Sequence, residues 1–304
     1  MNRCDTGAGG DSPNERRCMH STMLRFAPII VSGFFFMRKK QQIPRPKNAR
    51  PMQRFGLLVI SLVVGIFLWY FIANLLNLPA FILPGPGLVW DRFLRTLLSG
   101  QLMQHTLATL LEVLAGLLLG GTVATILGYL LAKSPAFENL VSPYLVASQS
   151  IPVVAIAPLL VIWFGPGVFS KILICSLTVF FPVLINTVVG LREVPQDLRD
   201  LMRTLKASRT QTLLKLEIPA ALPIFLGGLR VGATLSVIGA VVGELVGADR
   251  GLGFLINVGR GQYDTALVFV AVITLAVMAM SLYGLVLLIE TQLLSWQSWR
   301  EGAG

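Results

Sequence analysis

The feature that most limits what this chain can fold into is a succession of apolar runs, each long enough to cross a bilayer. They fall at about residues 55–76, 107–131, 141–163, 170–190, 224–246 and 266–289. About 20 apolar residues, at about 1.5 Å of rise each, span the roughly 30 Å hydrocarbon core as a helix. Backbone groups find no water there, so helices that satisfy their own hydrogen bonds are expected. The charge content agrees: 13% of residues are charged and the mean hydropathy is +0.73, where soluble domains carry about 25% charge. The expected fold class is an all-α polytopic membrane protein with about six transmembrane helices.

The net charge is +10. Lys and Arg collect on the cytoplasmic side of a membrane, so this charge is tested first against topology. Six crossings put both termini on one side. That side would hold 19 of the 25 Lys and Arg, 11 of them before the first run and six in residues 191–219. The other side would hold Arg92, Arg95, Arg250 and Arg260. Both termini and the 191–219 loop are therefore expected to be cytoplasmic, and the split keeps its sign without the N-terminal tail. Topology accounts for the charge, so no nucleic acid partner is implied. Cys4, Cys18 and Cys175 are the three cysteines and His20 and His105 the two histidines. Neither disulfide nor metal spacing follows from them, and no metal or cofactor is expected.

Residues 1–54 read as a basic, largely disordered cytoplasmic tail. Within it, 24–36 is an apolar run of 13, too short to span. It reads either as a signal-like segment or as over-annotated sequence ahead of a start at Met37. Residues 55–296 form the membrane domain and 297–304 a short cytoplasmic tail. Gly116/Gly120, Gly228/Gly232 and Gly239/Gly243 are spaced four apart within the runs. Such spacing lets helices approach closely, and ordinary packing explains it.

One loop is unlike the rest. Residues 195–219 carry Arg199, Arg203, Lys206, Arg209 and Lys215 between apolar runs. Pro195 suits the start of a helix. Leu198, Leu201, Met202 and Leu205 then follow at i, i+3, i+4 and i+7, one face of a helix. Ser208 with Gln211 fits a capping box, so the chain is expected to turn at Lys206-Ala207 and restart over 209–217. Pro219 and Pro223 disfavour helix before them, so this second helix is expected to end near Glu217. The result is a compact helical pair with an apolar and a cationic face. A solvated connector would not need two caps and two prolines.

At this point the sequence resembles the permeases of ABC importers. Their cytoplasmic signature is E-A-A, three residues, G, nine residues, then I-x-L-P. Asp200 stands at the Glu, Leu201 and Met202 at the alanines, Lys206 at the Gly, Leu216 at the Ile, and Ile218-Pro219 at the L-P. The identities are relaxed and the Gly is lost, so a left-handed turn at Lys206 would cost roughly 1 kcal/mol against Gly. The stretches SQSIPVVAIAPLLVIWFGPG (148–167), FFPVLINTVVGLREVP (180–195) and GELVGADRGLGFLI (243–256) are similar to the nitrate, sulfonate and taurine branch, which includes importers of riboflavin and thiamine pyrimidine precursors. The resemblance covers about 55–296. It implies a type I importer fold in a bacterial inner membrane and a coupling helix pair seated on separate ATP-binding subunits. The pair's residues are then Asp200, Leu201, Met202, Arg203, Leu205, Lys206, Ala207, Ser208, Leu216, Ile218 and Pro219. It implies as well an extracytoplasmic solute-binding protein, a second permease copy as a homodimer, and surrounding lipid. The chain has no G-x-x-x-x-G-K-[ST] loop, so ATP hydrolysis belongs to a partner and the chain is not itself expected to be an enzyme.

Ionisable groups at depth are functional hypotheses by default. Glu112 reads as a span-end residue or a functional one, and Arg230 as snorkelling or functional. Glu244 reads as facing the outer mouth or the binding protein, or as merely sitting at the interface. Gln149, Asn186 and Glu244 are the candidate path-lining residues, the first two near Pro152 and Pro182 where the backbone is interrupted. The uncharged pair could equally bond between helices. An ion-coupled secondary transporter is the competing class. It would call for internal repeats and mid-span charge relays, and neither is evident. The expected cargo is a vitamin or precursor, riboflavin or a thiamine pyrimidine, with sulfonate, taurine or nitrate as the alternative.

Overall fold

The computed structural model describes residues 51–75 and 79–294. The expectations for residues 1–50 and 295–304 lie outside the described residues. The chain divides into two units, Met1–Leu62 and Val63–Gly304. Every described regular element is a helix. In chain order they are α1 (Pro51–Leu75), α2 (Pro86–Leu98), α3 (Gln101–Lys133), α4 (Pro135–Gln149), α5 (Val153–Phe164), α6 (Val168–Arg192), α7 (Gln196–Thr204), α8 (Arg209–Thr212), α9 (Ile218–Gly247), α10 (Leu252–Gly261) and α11 (Thr265–Leu293).

Four helices among the described residues are long and apolar enough to cross: α3, α6, α11 and the continuous run Arg209–Gly247 that carries α9. The predicted span at 141–163 is a bent pair. α4 and α5 meet at 95°, because Pro152 lacks an N–H and holds the residue before it out of the helical region. Within α1, Val63–Leu75 stands as a shorter apolar helix. Two segments between the apolar runs are helical as well. Pro86 opens α2 at its first turn, and Gly251 precedes α10.

The core is α6 packed between α3 and α9. Lipid tails are as apolar as leucine, so close packing rather than water exclusion holds such helices together. The glycines do this work. A Cβ on Gly116 would stand 2.2 Å from the Cβ of Cys175, and one on Gly120 2.4 Å from the carbonyl oxygen of Ser176. From the other side a Cβ on Gly228 would stand 2.5 Å from that of Asn186, and one on Gly239 2.7 Å from Thr178 Oγ1. The four-residue spacing is thus the footprint of α6 on both neighbours. A second apolar cluster joins Val237 and Ala240 of α9 to Val270, Leu275 and Met278 of α11. Leu107, Leu111, Leu118 and Ile126 recur along the exposed face of α3, the pattern of a face turned to lipid.

Candidate functional site

The Leu198–Leu201–Leu205 face and the Ser208 cap fold the 195–219 loop into a helical hairpin. Pro195 occupies the N-cap of α7 with φ −57°. Asp200 accepts from Arg203 at 2.9 Å and from Gln196 at 3.3 Å on the exposed side. At the far end the Ala207 N–H donates to the Met202 carbonyl and the Lys206 N–H to that of Arg203, at 3.0 and 2.9 Å. These two bonds close a Schellman motif, whose left-handed position is normally glycine. Lys206 takes it with φ 53°, as the lost glycine of the signature requires. Ser208 then starts α8 with both bonds of a capping box to Gln211.

The expected end near Glu217 does not occur. α8 passes through a π-turn, Leu213–Glu217, straight into α9. Pro219 is the cause. In an α-register its ring would press on the carbonyl four residues back. The π-turn inserts one residue, and the Ile218 N–H reaches the Leu213 carbonyl instead. Pro219 then sits within the first turn of α9, where a missing N–H costs nothing.

Glu217 lies in that turn and is 2% exposed. It receives Lys133, the last residue of α3, and Arg199 of α7 at 3.6 Å. Arg199 also donates to the Leu191 carbonyl at the end of α6, at 2.6 Å. Arg192 pairs with Glu138 of α4. The apolar groups of α7 point the other way. Leu198, Leu201 and Leu205 are exposed, Leu205 by 67%, with Met202 half-buried beside them. Leu216 and Pro219 are half-buried and Ile218 is exposed. Beneath the hairpin Tyr129, Leu191, Leu213, Ile218, Leu222 and Phe225 line an apolar cavity of about 390 Å³.

The three candidate path residues lie on three different helices. Gln149 is exposed at the end of α4, directly before the 95° bend. Asn186 is half-buried at the Gly228 crossing and donates to the Pro182 carbonyl at 2.8 Å. Glu244 is fully buried. It accepts from Thr109 at 2.7 Å and from the Gly253 N–H.

Around Glu244 lies a polar cluster that the sequence reading took residue by residue. Glu112 of α3 and Lys171 of α6 form a buried ion pair at 3.0 Å. The Leu252 N–H donates to Thr109 at 2.8 Å, and the Gly251 N–H to His105 Nδ1 at 3.0 Å. Glu112 is therefore a pairing group rather than only a span-end residue. Arg230 is paired too, with Glu290 of α11, and it lies over the Tyr283 ring at 5.5 Å. Glu112, Lys171, Glu217 and Lys133 were missed as partners. A charge inside or at the edge of an apolar run was the available signal, but its partner lies 59 or 84 residues away.

Residues 120–294 match the family of binding-protein-dependent transport system inner membrane components. The chain belongs to that family. It is thus the permease subunit of an ABC importer, a multi-pass inner membrane protein. The permease is 47% identical to the riboflavin transport system permease protein of Chloroflexus aurantiacus, over 83% of this chain and 95% of that one. It is 35% identical to the formylaminopyrimidine transport permease protein of Halalkalibacterium halodurans, over 76% and 91% of the two chains. It is also 35% identical to the putative aliphatic sulfonates transport permease protein of Bacillus subtilis, over 81% and 89%. Among solved structures it resembles an inward-facing methionine ABC transporter, with a TM-score of 0.57 at 19% identity. That match covers 64% of this chain and 97% of the other and supports the type I importer fold.

Proposed function

We propose that this permease carries riboflavin, as a homodimer fed by an extracytoplasmic solute-binding protein and driven by separate ATP-binding subunits. The observation that carries the substrate is the 47% identity, over nearly the whole relative, to a riboflavin permease, against 35% to the pyrimidine and sulfonate ones. The α7–α8 hairpin is the ATPase contact. Its exposed Leu198, Leu201 and Leu205 form an amphipathic face of the kind that seats in a partner's groove. Arg203 and Arg209 flank it with positive charge, and Asp200, Lys206, Ala207, Ser208, Leu216, Ile218 and Pro219 give it shape. The basic hairpin side is cytoplasmic and holds both termini. Gln149 and Asn186 stand on the route of the solute, and Glu244, fully buried and held by Thr109 and the Gly253 N–H, braces the outer end of the helices rather than facing the solute. Closure of the ATPases draws the hairpins of two copies together and rocks the helices about the path.

The test is a thermal-shift screen of the cognate binding protein with riboflavin, a thiamine pyrimidine precursor, taurine, an alkanesulfonate and nitrate. Riboflavin is expected to raise its melting temperature and the others to leave it unmoved. A shift with a sulfonate, taurine or nitrate alone would overturn the substrate and leave the coupling reading intact.

A further inference from the structure

We propose that Glu217 is the positioning residue that ties α3 to the α7–α8 hairpin, so that hairpin movement reaches all three core helices together. This rests on the hairpin being the ATPase contact. The chain itself joins the hairpin to α6 through residues 193–195 and to α9 through the π-turn. It does not join the hairpin to α3, whose C-terminus at Lys133 leads away into α4. The bridge is electrostatic. The Glu217 carboxylate is buried and receives Lys133 from α3 and Arg199 from α7. Arg199 reaches on to the last turn of α6 through the Leu191 carbonyl. One carboxylate therefore sits where four elements converge.

The local backbone aims it there. The π-turn forced by Pro219 ends at Glu217, and the Ile218 N–H is held by the Leu213 carbonyl. Lys133 is steadied in turn by the Tyr129 ring, 5.8 Å away. At the opposite end the same three helices are pinned again. Lys171 of α6 meets Glu112 of α3, and Thr109 of α3 meets Glu244 of α9. With both ends tied, α3, α6 and α9 respond as one body. Without Glu217, α6 and α9 would still follow the hairpin through the chain, and α3 would lag at the hairpin end.

The experiment uses the full complex of permease, ATPase and binding protein in proteoliposomes. The readout is the factor by which binding protein stimulates hydrolysis of Mg-ATP. Glu217→Gln is expected to keep the ATPase bound on purification while stimulation falls several-fold. Lys133→Cys with Glu217→Cys, in a Cys4→Ser, Cys18→Ser background, is expected to be equally uncoupled. A short reducible bis-methanethiosulfonate linker between the two cysteines should then restore stimulation, and reductant should abolish it again. The half-exposed Lys133 position gives the reagent its entry, and shortening both side chains to cysteine opens the way to position 217, whereas Cys175 keeps its fully buried surround. Unchanged stimulation in Glu217→Gln, or a formed cross-link that restores nothing, would overturn the proposal. Loss of the ATPase from Glu217→Gln alone would overturn it too, since Glu217 would then shape the docking face rather than transmit. A wild-type permease that binds no ATPase would instead sink the coupling reading itself.

Discussion

The Glu244 carboxylate occupies the space in which a side chain on Gly251 would have to stand. A Cβ there would lie 2.1 Å from Oε1, and the backbone has φ +115°. Two costs then add for any substitution. An L-residue at this φ is strained by about 1–3 kcal/mol, and the buried carboxylate must also move off its donors. Gly251→Ala should lower the unfolding midpoint in detergent markedly. Gly261→Ala serves as the control, because its Cβ would meet nothing within 4 Å, and it should change stability by less than about 0.5 kcal/mol. Equal midpoints for the two variants would contradict this picture of the α9–α10 connection.

The Glu112–Lys171 pair makes a second prediction. Both side chains are almost fully buried, and Glu244 lies beside Glu112. Lys171→Met removes the cation and leaves two neighbouring buried carboxyl groups without it. Breaking a buried pair this way costs about 3–5 kcal/mol, whereas replacing both partners by apolar groups is often neutral. Glu112→Leu with Lys171→Met should therefore be closer to wild type than Lys171→Met alone. The check is a double-mutant cycle on unfolding midpoints, with strong positive coupling expected. Additive losses would mean that the two residues act apart.

The same two residues show where reading the sequence stopped. The spans of α3, α6, α9 and α11 were legible because bilayer thickness fixes run length, and the Gly116/Gly120 spacing announced a close neighbour. It did not name α6 as that neighbour, since a one-dimensional pattern carries no partner. Ser208–Gln211 and the turn at Lys206 were legible because caps are local. The join at Glu217 was not. Pro219 reads as a terminator by local rules, and only the helix that continues into the membrane makes a π-turn cheaper than a break. α2 and α10 were passed over because short helices lying outside the hydrocarbon core have no length to announce them. Gln149 was marked by Pro152, where the chain bends by 95°, whereas the interruption expected at Pro182 does not occur and α6 runs unbroken past Asn186.

Lys206 gives a third prediction. Its φ of 53° is one that a β-carbon resists by roughly 1 kcal/mol or more, and its side chain is exposed. Lys206→Gly relieves the strain and loses no buried contact, against a smaller cost in unfolded-chain freedom. It should leave the midpoint unchanged or raise it by up to about 1 kcal/mol equivalent, with transport intact. Stability gained together with transport lost would show that the lysine makes a contact of its own with a partner subunit.

The last prediction concerns the exposed face of α7. Leu201 and Leu205 are 53% and 67% exposed, one turn apart, beyond the reach of the Glu217 join. A carboxylate at either position stays hydrated in the free permease, so folding and membrane insertion should be unaffected. Seated in a partner's groove, each carboxylate would instead be stripped of water without a cation opposite, at a cost of several kcal/mol. A factor of ten in affinity corresponds to about 1.4 kcal/mol, so Leu201→Asp with Leu205→Asp should abolish ATPase co-purification outright. The measurement is co-purification from detergent, with membrane yield and unfolding midpoint as the controls for insertion and fold. Leu118→Asp is the contrast, since Leu118 belongs to the exposed apolar side of α3, within a span and away from the hairpin. It should depress membrane yield, and whatever inserts should still carry the ATPase. Retention of the ATPase by the Leu201/Leu205 variant would place the contact elsewhere on the hairpin, on the cationic side that carries Arg203 and Arg209.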